Sequence, residues 1–229
     1  MTHNRLNVIL FPGDLMKHYR MIILLLLFGA SIPLSAQADH VRIRTIAGME
    51  PIGILSITGL NSGGKNSWST GYGFTPGLEI YYIMNDRIEV GAGFKWQLNR
   101  RVFRDSGSSD ETFSFIPIYI AARIGLSEID NFSTYLLVKL GYAAFQSSQD
   151  FRDIWLSEPG GALSSTSGGI YAAGSLGVLL NLTERSKWGL DLSMDVGYAF
   201  QNATGTNPVK SYPISYQAMS VDMALGWRF

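Results

Sequence analysis

The chain has 229 residues, of which 46% are hydrophobic, with 18 basic and 18 acidic side chains and no cysteine. The even balance of charge leaves no basic excess for binding nucleic acid, and the lack of cysteine excludes disulfides and thiolate metal sites. After the amino-terminal segment no apolar run reaches the roughly 20 residues of a membrane-spanning helix, so the sequence excludes a helical membrane protein.

The amino-terminal segment has the pattern of a secretory signal peptide. A basic start at residues 17–20 precedes an apolar run of 14 residues at 21–34, and Ala-Gln-Ala at 36–38 offers a small-x-small cleavage site. A membrane-anchoring helix is the alternative, but the run is shorter than the roughly 20 residues that a span needs. We therefore expect residues 1–38 to be a cleaved signal peptide.

The remaining chain predicts eight β-strands. In chain order they are Arg42–Thr58, Gly71–Met84, Arg87–Asn99, Thr112–Leu126, Phe132–Gln146, Gly169–Leu182, Trp188–Phe200 and Ile214–Phe229. The connections 85–86, 127–131 and 183–187 are short, whereas 59–70, 100–111, 147–168 and 201–213 are long and rich in Gly, Ser, Asn and Thr. This strict alternation is typical of an outer-membrane barrel with short periplasmic turns, long external loops and both termini periplasmic.

Long runs of alternating apolar and polar side chains support membrane-spanning strands. The third predicted strand places on one face Ile88, Val90, Ala92, Phe94, Trp96 and Leu98. The seventh places on one face Trp188, Leu190, Leu192, Met194, Val196, Tyr198 and Phe200. Strands of soluble proteins are usually about five or six residues long, whereas a tilted strand crossing a bilayer needs ~9–11. Length and period together favour a membrane barrel over a soluble one.

Aromatic residues collect near both ends of the predicted spans, as expected of two girdles at the membrane interfaces. Near the short turns these are Tyr81, Tyr82, Phe132, Trp188, Trp227 and Phe229. Near the long loops they are Phe74, Trp96, Phe145, Tyr198, Phe200 and Tyr216. Pro51, Pro76 and Pro117 lie inside predicted strands and lack a ladder donor, so we expect bulges or strand ends there.

The last strand carries the most specific motif of the chain. Val221, Met223, Leu225, Trp227 and Phe229 alternate with small or polar residues, and the chain stops on the last of these. Residues 222–229 thereby resemble the carboxy-terminal assembly signal of small outer-membrane barrels, which reads polar, x, Gly, x, x, aromatic, x, aromatic. Ala224 stands where that signal has its first glycine.

On this basis the mature chain resembles the small eight-stranded outer-membrane β-barrels of the OmpA/OmpX-like type. The resemblance implies that Trp227 and Phe229 are read by the barrel-assembly machinery, and the girdle role would suit both residues as well. The predicted fold is all-β, an eight-stranded antiparallel up-and-down transmembrane β-barrel over residues 39–229. Residues 1–15 fit no part of a signal peptide, so they are interpreted as a mis-assigned start before Met16.

Nine charged side chains are predicted to point into the barrel. They are Glu79, Glu89, Lys95, Arg123, Lys139, Asp191, Asp195, Asp222 and Arg228. Eight strands enclose little more than their own side chains, and buried charges are tolerated when they are paired. We therefore expect a lumen plugged by salt bridges, with a polar path for ions or small solutes as the alternative.

The chain lacks the residues of the usual hydrolytic sites. His3, His18 and His40 lie within or just after the predicted signal peptide, so no strand or loop offers a histidine base. Ser-His-Asp chemistry and histidine metal sites are therefore unsupported. Asp191 and Asp195 are interpreted as plug residues rather than a catalytic pair. We expect a non-enzymatic protein without a cofactor or metal.

The external loops are the predicted functional surface. Arg100, Arg101 and Arg104 cluster above the third strand, where guanidinium groups suit the phosphates of lipopolysaccharide. A solvated rim balanced by nearby acids is the alternative. The longest loop carries Phe151 and Trp155, which either mark an interaction site or fold down and cap the barrel mouth.

Three hypotheses follow for the role of the protein. The main one is a non-enzymatic barrel in outer-membrane lipid and lipopolysaccharide, with a plugged lumen and a structural, binding or adhesion role carried by its loops. The alternative is a narrow channel or uptake protein for small solutes. The third is a soluble, lipocalin-like barrel with its apolar residues inside.

Overall fold

The computed structural model describes residues 40–60, 64–103, 111–183 and 189–229. These form one antiparallel sheet of ten strands. The strands are β1 (Val41–Leu60), β2 (Gly64–Thr70), β3 (Gly73–Asn85), β4 (Ile88–Lys95), β5 (Arg100–Arg101), β6 (Thr112–Ile129), β7 (Phe132–Ser147), β8 (Ser165–Asn181), β9 (Gly189–Thr206) and β10 (Ser211–Arg228). One helix, α1, covers Gln149–Asp153. The predicted signal peptide, Arg104 and Trp188 lie outside the described residues.

The sheet closes into a barrel with eight strand positions around its wall, each called a stave here. β1 pairs with β10 on one side and with β3 on the other, so the ring has no gap between first and last strand. β2 and β3 both pair with β1 and form one stave. β4 and β5 both pair with β6 and form another. The predicted eight-stranded antiparallel up-and-down barrel is therefore confirmed.

Two of the predicted long loops are largely strand. β2 lies within the predicted loop 59–70 and pairs with β1 from Gly53↔Thr70 to Leu60↔Gly64. β9 and β10 pair as far as Ser211↔Thr206 within the predicted loop 201–213. The Gly, Ser, Asn and Thr content suggested loops. However, cross-strand hydroxyl pairs such as Ser56 with Ser67 and the inward apolar residues of β1 and β10 stabilise strands there.

The prolines coincide with irregularities of the barrel wall. The β1–β10 register shifts between Met49 and Ile52, around Pro51. Pro76 and Pro117 lie mid-strand on the two sides of the stretch between β4 and β5. There the β3–β4 ladder ends at Gly77 and the β4–β6 ladder at Ile118. Pro76 and Pro117 have no N–H to donate, and both lie beside a stave whose ladder is interrupted, so no ladder hydrogen bond is lost there.

The outer face of the staves is apolar. Exposed side chains on it include Met49, Ile80, Val90, Phe94, Ile120, Leu140, Leu176, Met194, Met223 and Leu225. Between them along each strand lie buried charged or small residues, such as Asp222 and Ala224 in β10. A lipocalin-like barrel would place its apolar face inside along its length, so the soluble hypothesis is wrong. Separately, no helix in the described part of the chain is long and apolar enough to span a membrane.

The aromatic residues divide between the two faces. Phe74, Tyr82, Trp96, Phe132 and Tyr198 are exposed on the outside, where girdle residues belong. Tyr81, Phe145 and Tyr216 are buried inside. The girdle prediction was wrong for these three because it used depth along the strand without the face. The alternation that turns Tyr82 outward turns Tyr81 inward.

Candidate functional site: the charge-filled interior

Among the described residues, six basic and six acidic side chains of the barrel interior form ion pairs with one another. The bases are Arg42, Arg44, Lys95, Arg100, Arg123 and Lys139, and the acids are Glu50, Glu79, Glu89, Asp191, Asp195 and Asp222. They form three groups. We call them the lower, central and upper clusters, counting upward from the end of the barrel at which Val41 and Phe229 meet. Equal numbers of opposite charges make this a neutral filling.

The central cluster is a chain of alternating charge across the barrel. Asp195 pairs with Arg44 at 3.0 Å, and Arg44 pairs with Glu79 at 2.8 Å. Glu79 also pairs with Lys139 at 2.7 Å, and Lys139 lies 3.8 Å from Asp222. Asp222 then pairs with the Lys95 ammonium group. Each charge lies between opposite charges or at an end of the chain, which offsets the cost of burying it.

Hydroxyl groups complete the coordination of the central carboxylates. The Tyr81 hydroxyl donates to Glu79 Oε2 at 3.0 Å, and the Tyr119 hydroxyl donates to Glu79 Oε1 at 2.8 Å. The Tyr135 hydroxyl donates to Asp195. Glu79 thus accepts from two tyrosines and two cations, and its carboxylate joins four side chains in the interior.

The lower cluster is built around Glu89. Arg42 pairs with Glu89 at 2.5 Å and with Asp191 at 3.2 Å, and Arg123 pairs with Glu89 at 3.0 Å. The Arg123 guanidinium also lies 3.8 Å from the centroid of a tyrosine ring, that of Tyr135, which adds a cation–π contact. These contacts connect β1, β4, β6, β7 and β9 near the turns.

Arg228 was also predicted to join this network, and its guanidinium group lies over the buried Gly189 at the lower end of the barrel. It is partly exposed at the end of β10, beside its cross-strand partner Gly189. In the described part of the chain no carboxylate lies within ion-pair distance of it. Next to it the ladder between β1 and β10 ends, where Phe229 and Val41 exchange backbone hydrogen bonds of 2.8 and 3.2 Å. Arg228 therefore lies at the lower mouth of the barrel interior, without an ion pair to the described carboxylates.

The upper cluster is formed by Arg100 and Glu50. Arg100 is fully buried and donates to the backbone oxygen of Glu50 at 2.8 Å and to the Tyr216 hydroxyl. The Glu50 carboxylate accepts from Gln97 at 2.6 Å and from the Tyr216 hydroxyl at 2.9 Å. Arg100 thus does not lie on the external rim. The alternation that turns Lys95 and Gln97 inward slips by one residue in the irregular stretch after β4.

Above the upper cluster the interior is a hydrophobic core. Phe113, Phe115, Phe145 and Tyr216 have ring centroids 4.8–6.1 Å apart. Leu55 and Ile57 of β1 and Ile214 of β10 are buried with them. The strand extensions described above add Leu60, Ala203 and Tyr212 to this core, and the burial of apolar surface there helps segments of loop-like composition to form strands.

Phe151 and Trp155 close this core from above. Ser148 caps α1 by accepting from the backbone nitrogen of Phe151 at 3.1 Å. Phe151 and Trp155 are fully buried, with ring centroids 5.6 Å apart, and Trp155 packs against Tyr212 at 5.8 Å. Of the two interpretations of this loop, the structure therefore favours the cap over an exposed interaction site.

Inward glycines make room for the charged side chains. A β-carbon at Gly93 would collide with the Glu79 side chain, at Gly177 with Asp195, at Gly226 with Asp191 and at Gly48 with Asp222. Each of four interior carboxylates thus passes over a glycine of another strand. The filling depends on these gaps as much as on the charges.

Gly177→Ala should destabilise the barrel by about 1–3 kcal/mol, because the added methyl group would overlap Asp195 and the Tyr135 ring. Gly174→Ala is a matched control on the same strand, since its β-carbon would have no atom within 4 Å. The two changes should be compared by urea unfolding in detergent micelles. Equal midpoints for the two variants would contradict a filling packed at Gly177.

Sequence reasoning missed four members of the network: Arg42, Arg44, Glu50 and Arg100. The signal for the first two was present, because Val41 to Thr45 alternates in the same way as β10. Glu50 and Arg100 flank irregular stretches, where period-two reasoning fails. No set of three or more His, Asp or Glu within the described ranges is placed to hold a metal ion.

Of the remaining rim arginines, Arg101 is exposed and pairs with Thr112 of β6 through the backbone. Arg104 lies outside the described residues. Trp227 lies between Ile43 and Leu190 in the ladders of β1 and β9, near the seam closed by Phe229. The structure thus places eight of the nine predicted lumen charges in the ion pairs of the interior. Of the predicted arginine cluster, Arg100 points inward and Arg101 points outward.

No protein-family model matches the chain, and no curated protein is significantly similar to it in sequence. Solved structures share its fold. The outer membrane protein OprG from Pseudomonas aeruginosa matches with a TM-score of 0.56 and 15% identity, over 84% of this chain and 97% of that one. The outer membrane protein AlkL in lipid bilayers matches with a TM-score of 0.52 and 15% identity, over 85% and 92%.

These likenesses agree with the geometry. A ring of eight staves closed between β1 and β10, an apolar outer face and a charged interior together require a membrane around the barrel. The chain is an integral outer-membrane protein with the small eight-stranded β-barrel fold.

Proposed function

We propose that this protein is a closed, non-enzymatic barrel that acts at its external end, through membrane integrity, binding or adhesion, and conducts no solute. The observation that carries the proposal is the filling of the interior. Paired charges occupy the lower and central barrel, and aromatic residues capped by Trp155 occupy the upper part. In the proposed setting Trp227 and Phe229 serve as the assembly signal, and residues 1–38 as the cleaved signal peptide.

The filling argues against the alternative of a narrow channel. A permeating ion would have to displace groups of the central cluster, in which Lys139, Glu79 and Arg44 are within 2.8 Å of their partners. Removing one partner from such a buried pair costs about 3–5 kcal/mol. Above it, a solute would meet the packed rings of Phe113 and Phe115. Among the described residues, neither level offers a continuous path lined by water-accessible polar groups.

Recording in planar lipid bilayers should therefore show no single-channel steps from the purified protein. Lys95→Gln and Lys139→Gln, which remove one positive charge each, should also stay silent because the aromatic layer above them is unchanged. A sixteen-stranded porin recorded in the same bilayers provides the positive control. Reproducible steps from the wild type, altered in size by either substitution, would establish the channel instead.

A second experiment separates the two external roles. Cells lacking the protein should be more sensitive to detergent, and wild-type protein should restore their resistance. A variant with the exposed residues Pro208 and Val209 at the tip of the β9–β10 turn replaced by glycine keeps Asn207, whose side chain bonds the backbone of Pro159 and Gly161 in the cap. Full rescue by it favours a structural role over one carried by that loop.

A further inference from the structure

The barrel wall contains a break on its loop side. Between the pairs Glu50↔Gly73 and Gly53↔Thr70, two residues of β1 face two residues that belong to neither β2 nor β3. These are Pro51 and Ile52 on one side and Gly71 and Tyr72 on the other. The ladder is interrupted there, and the backbone nitrogen of Gly71 instead donates to the oxygen of Arg101 at 3.2 Å.

The upper cluster seals this break from inside. Arg100 lies directly against Gly73, where a β-carbon would collide with its guanidinium group, and it bonds the backbone oxygen of Glu50 at 2.8 Å. It also reaches the Thr70 hydroxyl at 3.4 Å. The break therefore does not open into the lumen and is a recess accessible from the outside.

On the outside the break forms a groove of about 550 Å³. Its apolar walls are Ile52, Tyr72 and Phe103, which are 63%, 81% and 60% exposed. Polar groups line one end, and the charged one is Arg101. Within the described part of the chain no carboxylate lies at ion-pair distance from Arg101. The groove thus combines an exposed apolar surface with one guanidinium group that forms no ion pair with the described carboxylates.

The depth of the groove matches a membrane interface. Tyr82 and Phe74 lie on the outer face of β3, eight residues apart. That separation is about 27 Å along a strand, or about 20 Å across a bilayer at the usual tilt, close to the ~25 Å apolar band of such barrels. Tyr72 is the next outward residue above Phe74, so the groove begins where acyl chains meet headgroups.

We propose that this groove binds one acyl chain of the lipopolysaccharide of the outer leaflet, with Arg101 on a lipid phosphate. The apolar walls supply the contact for the chain, and a guanidinium group is suited to bind phosphate through two hydrogen bonds. The choice of this lipid rests on the predicted orientation, in which the long connections face the cell exterior. The site is separate from the filling and does not depend on whether the lumen conducts.

Native mass spectrometry of the detergent-purified protein, titrated with rough lipopolysaccharide or with phosphatidylglycerol, tests the proposal. Wild-type protein should bind the former more tightly. Arg101→Ala should weaken that binding by about tenfold or more, since a charge-assisted contact is lost. Lys65→Ala is the matched control, because Lys65 is an exposed cation on β2, above the groove and absent from its lining.

Gly71→Leu tests the apolar part of the groove without changing its charge. A β-carbon at Gly71 would lie 3.4 Å from the Phe103 ring, in ordinary contact, so the longer side chain fills the groove without a backbone clash. It should weaken lipopolysaccharide binding as Arg101→Ala does, while the unfolding midpoint stays near that of the wild type. Wild-type affinity in both variants would overturn the site. Equal binding of phosphatidylglycerol would overturn the assignment to lipopolysaccharide.

Discussion

Glu79→Ala is expected to destabilise the barrel by about 3–5 kcal/mol, because it removes the nearer of the two counter-charges from each of two buried cations. Glu79 pairs with Arg44 at 2.8 Å and with Lys139 at 2.7 Å, and it accepts from two tyrosine hydroxyls. Its removal therefore affects four staves at once. The free energy of unfolding should be measured by urea titration in micelles, and the gel shift between heated and unheated protein should occur at a lower temperature.

The control for this change is Glu128→Ala, the same substitution at an exposed position of β6, which should stay within about 0.5 kcal/mol of the wild type. The double variant Glu79→Ala, Lys139→Ala should lose less than the sum of the two single losses, since their pair can be broken only once. A Glu79→Ala protein as stable as Glu128→Ala would mean that the central cluster does not hold the staves together.

Trp155→Ala is expected to destabilise the end of the barrel that carries the long loops by about 3–5 kcal/mol, the usual cost of truncating a buried tryptophan. Trp155 is fully buried against Phe151 and Tyr212, so its loss leaves a cavity under the cap. The loop between β7 and β8 should then become sensitive to protease added outside intact cells. Cleavage should be followed by mass spectrometry of the released fragments.

Leu156→Ala is the adjacent control, since Leu156 is 64% exposed and its truncation leaves no cavity. Its cleavage pattern and unfolding midpoint should match those of the wild type. If Trp155→Ala resists protease as well as Leu156→Ala, the segment is not held by its aromatic anchors. The upper filling would then have to be stabilised by the strand extensions alone.

The structure also shows which inferences from the sequence were sound. The eight staves and their antiparallel order follow from the number of strands and the short connections between them. The outward faces of β4 and β9 follow from alternation, which is a property of each strand by itself. The inward position of Glu79, Lys95, Lys139 and Asp195 follows from the same rule. The predicted strand lengths were less accurate, because the parts of the strands that extend past the apolar band are rich in residues that also form loops.

The sequence by itself determined that the chain is a membrane barrel with charges inside and apolar residues outside, since period two separates the faces of any strand. Only the tertiary structure decided which charges pair, because the stagger between strands sets the height of each residue in the ring. It also turned Arg100 inward and Arg101 outward, since a bulge shifts the alternation by one residue. Pairing and wall breaks arise between strands, so no single segment encodes them.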